Sequence, residues 1–351
     1  MKALMLKEYK HFVYEEVACP EPKENEVLIR VMACAVCGSD VHGMDGSTGR
    51  RIPPIIMGHE ASGIIERCGS KVSHYRCGDR VTFDSTIYCG ECDMCETGTV
   101  NLCRNRRVLG VSCDDYRLNG AFAEFVVVPE YVLYRLPDHV NFRQAAMVEP
   151  LSVAYHAATR TPIGKDSSVM IVGVGTIGLL IMQVVKSMGA RQIVAVDIDN
   201  DRLAAATVMG ATDCINSKDQ DALRNILSAT EGGTGVAVAI DATGIPATFD
   251  LCLKAVGLNG KVVLVGNLAK SVDLPLQWIV TRQLSIFGSC ASAGEYDKCL
   301  NLIASRNVDV DSMISACVPL SQGGEWIERL YNREKGLYKI VLIPNHESEQ
   351  P

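Results

Sequence analysis

The sequence lacks any excess of positive charge. Lys and Arg total 34 against 41 Asp and Glu, a formal net charge of −7, so the basic footprint that nucleic-acid binding needs is missing. Long apolar runs are missing too. The most membrane-like window, 169–185 (VMIVGVGTIGLLIMQVV), is broken by Gly173, Gly175 and Gly178 and falls short of a comfortable bilayer span. No apolar leader opens the chain: MKALMLKEYKHFVYEE alternates like a short strand, and the expected setting is the reducing cytoplasm. Internal repeats and low-complexity stretches are absent, which excludes repeat arrays.

What is present is a globular composition, 48% hydrophobic and 21% charged over 351 residues. That length holds a substantial core and suggests two domains. The 15 cysteines are an odd number with no secretory context, so metal binding is expected in place of a disulfide framework.

Residues 1 to about 150 read as short strands, at 27–32, 61–67, 80–83 and 121–128, between Gly, Pro and Asp punctuators. That pattern suggests a barrel-like β domain. The character changes at Glu149-Pro150, where Pro suits the first turn of a helix, LSVAYHAATR. Strands then fall near 169–172, 193–196, 213–215, 236–240, 261–265 and 284–287, with helices such as 176–188 and 202–209 between them. Six strands in βα alternation predict a doubly wound parallel sheet. KIVLIP at 339–344 reads as a closing strand, and 346–351 as a frayed tail.

Three motifs carry chemistry. Cys89, Cys92, Cys95 and Cys103 stand in CGECDMCETGTVNLC; four thiolates form a closed tetrahedral site, the mark of structural zinc. Gly173, Gly175, Thr176, Ile177 and Gly178 form G-x-G-x-x-G directly after the strand VMIV and before a helix, with Asp197 ending the next strand. Such glycines admit a pyrophosphate to a helix amino terminus. Asp197 suits a ribose 2′-OH and repels a 2′-phosphate, which favours NAD over NADP, with Arg202 as a ribose or adenine contact. The third is the stretch CGSDVHGMDGSTGRRIPPIIMGHE, from Cys37 to Glu60. Its Cys37, His59 and Glu60, joined by Glu149, offer the mixed S, N and O donors of a catalytic zinc site with an open position.

In their order along the chain, Cys37-Gly-Ser-Asp-Val-His42, Gly58-His59-Glu60, the four-cysteine lobe and the 173–178 fingerprint resemble the zinc-dependent medium-chain alcohol and polyol dehydrogenases. The resemblance spans essentially the whole chain. It implies a GroES-like β-barrel catalytic domain at 1–149 with a zinc lobe at about 88–104, a Rossmann NAD-binding domain at 150–288, and a segment at 289–351 completing the catalytic domain. Glu149-Pro-Leu-Ser-Val-Ala-Tyr-His156 is most similar to the sorbitol dehydrogenase branch, whose bacterial relatives include galactitol 1-phosphate dehydrogenases. By resemblance, Cys37 and His59 are zinc ligands, Glu60 and Glu149 share the remaining coordination, and Asp40 holds the His59 ring. Ser39 and His42 relay the substrate proton. The implied reaction is reversible NAD-dependent oxidation of a secondary alcohol of a polyol or polyol phosphate, by a homodimer or homotetramer. L-Threonine dehydrogenases are similar, and a non-catalytic NAD-binding regulator is the alternative from another class.

The substrate pocket departs from that pattern. Gly43 stands where mammalian-type sorbitol dehydrogenases carry a tyrosine, and Phe287-Gly-Ser-Cys-Ala-Ser292 lacks their Arg-Tyr pair. Arg50 and Arg51, leading towards Gly-His-Glu, are candidates to bind a substrate phosphate.

Overall fold

The computed structural model describes residues 1–345, so the tail at 346–351 lies outside it. The chain divides into two compact units: Met1–Pro150 with the segment from Tyr296 onward, and Leu151–Glu295.

The first unit is built on a seven-stranded sheet centred on Glu26–Ala35. One edge of that strand pairs with Glu60–Cys68 along its length. The other edge is shared by Phe125–Pro129 and the carboxy-terminal Lys339–Ile343. Val27, Ile29 and Val31 alternate into a core with Ile65, Val81, Phe83, Val126, Val128, Ile340 and Leu342. Burying each such side chain is worth about 1.5–3 kcal/mol. The late segment is thus a structural member of this unit.

The stretch 121–128 reads as one strand, but only Phe125–Pro129 joins the sheet. Ala121 and Phe122 donate instead to the carbonyls of Gly58 and Met57, at 2.8 and 2.9 Å. They brace the turn that delivers His59 and Glu60. Gly58 sits there at φ 90°, and a Cβ on it would meet Phe122 Cδ1 at 2.4 Å, so only glycine fits.

In the second unit, six parallel strands stand in the order Asp213–Asn216, Gln192–Asp197, Ser168–Val172, Val236–Asp241, Val256–Leu264 and Ser285–Gly288. This is the 3-2-1-4-5-6 order of a dinucleotide-binding fold. The near-continuous apolar strands suit a sheet covered on both faces. The boundary expected after residue 288 falls after Glu295. Ser289 N–H still bonds the Leu264 carbonyl at 2.9 Å, and the Glu295 carboxylate reaches His156 Nδ1 at 2.6 Å, which keeps 289–295 on this unit. No described helix is long and apolar enough to cross a membrane.

Candidate active site and metal centres

Cys37 caps the short helix Gly38–Gly43, and its Sγ accepts from Ser39 N–H at 3.4 Å. His59 and Glu60 lie at the start of strand Glu60–Cys68, whose Glu60 pairs with Ala35. Pairing of the two strands therefore brings residues distant in sequence into one cluster. The ligand atoms of Cys37, His59 and Glu60 all lie within 4.8 Å of one another, close to the span a metal bonded at about 2.0–2.3 Å draws together. His59 and Glu60 are almost fully buried.

Buried charges need partners, and these have them. Asp40 Oδ1 stands 3.5 Å from His59 Nδ1 and accepts from Arg51 at 2.9 and 3.2 Å. Burial alone would raise the Asp40 pKa, but His59 and Arg51 hold it well below the usual carboxylate range. Burial would likewise lower the His59 pKa, and the charges of Asp40 and Cys37 override it, raising it well above the ordinary value. Behind Glu60, Lys339 Nζ donates to both carboxylate oxygens at 2.9 and 2.7 Å and to the Val36 carbonyl at 3.1 Å.

Glu149 is not one of the three clustered ligands. It lies in the first turn of Val148–Thr159, where desolvation pushes its pKa up to about 8; His59 opposes that rise and Glu60 adds to it. Ser39 and His42 are exposed on the short helix Gly38–Gly43, and Ser39 Oγ accepts from Arg51 at 3.2 Å. Arg51 is buried on Asp40 and Ser39, which removes it as a phosphate ligand; Arg50 remains exposed.

The four lobe cysteines converge as well. Their sulfur separations of 3.6, 3.6, 3.9 and 4.0 Å match the edge of about 3.8 Å that a tetrahedron with Zn–S bonds near 2.3 Å requires. Backbone N–H groups contact the sulfurs, as Cys89 N does Cys103 Sγ at 3.3 Å. Hydrogen bonds from the Arg104 and Cys95 backbones pull the Cys92 thiol down to about 6. This donor set fits zinc with no position left for substrate.

In the second unit, Gly173 turns the chain at φ 87°, and a Cβ on Gly178 would strike the Gly173 carbonyl oxygen at 1.9 Å. Gly175 caps helix Thr176–Ser187 without a side-chain bond to its N–H groups, and the space at its Cβ position is open except for Arg202 Nη1 at 3.8 Å. Thr176 and Ile177 open that helix. Asp197 accepts from Val174, Ile198 and Asp199 N–H groups at 2.9, 2.8 and 3.1 Å, with Arg202 3.8 Å away. An uncapped helix start beside open space fits a dinucleotide pyrophosphate.

Comparison with known proteins agrees with this geometry. Residues 23–138 match the alcohol dehydrogenase GroES-like domain, and residues 176–305 match the zinc-binding dehydrogenase family. The sorbitol dehydrogenase of Bacillus subtilis is 34% identical over 350 residues, 98% of each chain. The chain belongs to the zinc-dependent medium-chain polyol dehydrogenases. A D-arabitol-phosphate dehydrogenase of Enterococcus avium is 32% identical over 97% of this chain and 96% of its own. The galactitol-1-phosphate dehydrogenase structure from Escherichia coli superposes with a TM-score of 0.89 at 27% identity, covering 98% of this chain and 100% of that one.

This dehydrogenase is therefore an oxidoreductase of a family that uses zinc and a nicotinamide dinucleotide. Two residues of its site escape a reading by motif. Lys339 opens an otherwise apolar strand, and a lysine beginning KIVLIP is a signal that a buried carboxylate awaits it. Arg51 reads as one of a surface pair, yet it neutralises Asp40.

Proposed function

We propose that this dehydrogenase oxidises a secondary hydroxyl of a polyol or polyol phosphate to the ketone, reversibly, with NAD. The observation that carries the proposal is the convergence of Cys37, His59 and Glu60. Zinc held there would supply Lewis acidity to the substrate hydroxyl, and NAD at the 173–178 turn would supply the hydride acceptor. Asp40 Oδ1, 3.5 Å from His59 Nδ1, would hold the proton on that nitrogen and leave Nε2 for the metal. Lys339 fixes the Glu60 carboxylate from behind. Glu149 stands ready to share coordination with it. Ser39 accepts from Arg51 and so keeps its own hydroxyl hydrogen for the proton path to solvent with His42. Asp197 favours the free 2′-hydroxyl of NAD.

Similarity to dehydrogenases named for a sugar alcohol and for sugar-alcohol phosphates supports this substrate class. Arg50 is the cation assigned to a substrate phosphate. A cytoplasmic setting suits the many free thiols. Exposed Leu274, Leu276, Trp278 and Val280, just ahead of the open edge strand Ser285–Gly288, support a homodimer or homotetramer.

NADH formation by the zinc-loaded enzyme across free polyols, their phosphates and threonine tests the reading. Activity on a polyol or its phosphate is the expected result, with Arg50→Ala weakening only the phosphorylated substrate. Turnover of threonine alone would overturn it.

A further inference from the structure

Outside both metal centres lies a second pair of thiols. Cys68 ends strand Glu60–Cys68, and Cys77 lies on the return towards strand Arg80–Phe83. The two strand ends are locked together. Gly78 N–H bonds the Ile65 carbonyl at 2.8 Å, and Ile65 N–H bonds the Asp79 carbonyl at 3.0 Å. This brings Cys68 Sγ to 3.9 Å from the carbonyl of Tyr75, two residues ahead of Cys77, so that the two thiols stand on facing strand ends. Cys77 is exposed, whereas Cys68 is half-buried against Val72, Tyr75 and the core.

We propose that Cys68 and Cys77 form a peroxide-oxidised dithiol, a modification site separate from the zinc thiolates. Exposure makes Cys77 the thiol that meets the oxidant. Its sulfur attacks a peroxide oxygen, the O–O bond breaks, and water leaves as Cys77 becomes a sulfenic acid. Cys68 sulfur then attacks Cys77 sulfur. The S–O bond breaks, and the departing hydroxide takes the Cys68 proton to leave as a second water. Hydrogen peroxide gains the two electrons that the two thiols lose.

Burial, reinforced by Cys77, raises the Cys68 thiol to about 11. It therefore stays protonated until a sulfenic acid forms beside it, which suits a resolving cysteine and not the first attacker. The site is also distant from catalysis. Cys68 and Glu60 occupy opposite ends of one strand, about 26 Å apart at roughly 3.3 Å per residue. The disulfide closes the turn between two strands already paired, so the ligand set at the far end is undisturbed.

Peroxide treatment of the zinc-loaded enzyme, followed by alkylation, trypsin digestion and mass spectrometry, tests the proposal. Cleavage after Arg67, Lys71, Arg76 and Arg80 isolates the two cysteines on separate peptides, 68–71 and 77–80. The expected product is these two peptides joined by a reducible disulfide, with polyol oxidation and zinc content unchanged. Cys68→Ser should leave Cys77 trapped as a sulfenic acid that reacts with dimedone and advances to sulfinic acid. In Cys77→Ser, Cys68 should remain a free thiol. Full alkylation of both cysteines in the treated native enzyme, or cross-linking of Cys77 to any other cysteine, would overturn the assignment.

Discussion

Lys339 and Glu60 bury opposite charges against each other with side chains 3% and 1% exposed. Removing one partner strands the other charge, so Lys339→Met should cost about 3–5 kcal/mol of unfolding free energy. Replacing both, as Lys339→Met with Glu60→Leu, should recover most of that loss. Urea unfolding of the three proteins checks this; equal stability of the single and double variants would show that the pair is not coupled. Asp40 acts differently, on the geometry of a ligand. Asp40→Asn should weaken zinc at the catalytic site about 10- to 100-fold, measured by competition with a chromophoric chelator. At this scale the sequence was legible where residue type and local spacing foretell which side chains converge, as for Cys37, His59 and the four lobe cysteines. It was silent on Lys339, which meets Glu60 across 279 positions, because only strand pairing makes them neighbours. It misplaced Arg51 because exposure depends on what Asp40 requires, and spacing alone does not show that.

The turn after strand Ser168–Val172 binds only if its backbone can close. A methyl group on Gly178 would overlap the Gly173 carbonyl oxygen, so Gly178→Ala should abolish NADH binding, followed by fluorescence, while leaving zinc content intact. Retained affinity would show that the turn has room this geometry denies it. The cysteine lobe has almost no apolar core of its own: no residue of its helix Asp93–Glu96 is buried. Its order must come from metal ligation, as in small zinc modules. Cys95→Ser should therefore release the structural zinc and raise hydrogen exchange across about 88–104, with the strands Glu26–Ala35 and Glu60–Cys68 still protected. Unchanged exchange in the lobe would mean that the protein packs it without metal. Elements were legible where periodicity is strong, above all the six parallel strands. The stretch 121–128 was not, since hydrophobicity cannot distinguish a sheet strand from residues that pair with the Gly58 turn.

At the scale of the whole molecule, chain order and domain membership part company. The late strand Lys339–Ile343 joins the first sheet and delivers Lys339 behind Glu60, so the first unit needs a segment that follows the whole second unit in the chain. The second unit builds its own core and its own nucleotide turn. Both architectures were legible in the sequence as one region of short strands and one of βα alternation. The exit at Glu295 was not, because the His156–Glu295 bond that holds 289–295 in place links residues 139 positions apart. The account as a whole rests on Cys37, His59 and Glu60 holding the zinc that acts on substrate. The most direct test is polyol-dependent NADH formation by Cys37→Ser, assayed with the lobe zinc and NADH binding shown to be intact. Loss of turnover to background is the predicted result. Turnover at the native rate would contradict the assignment of this cluster as the catalytic metal site.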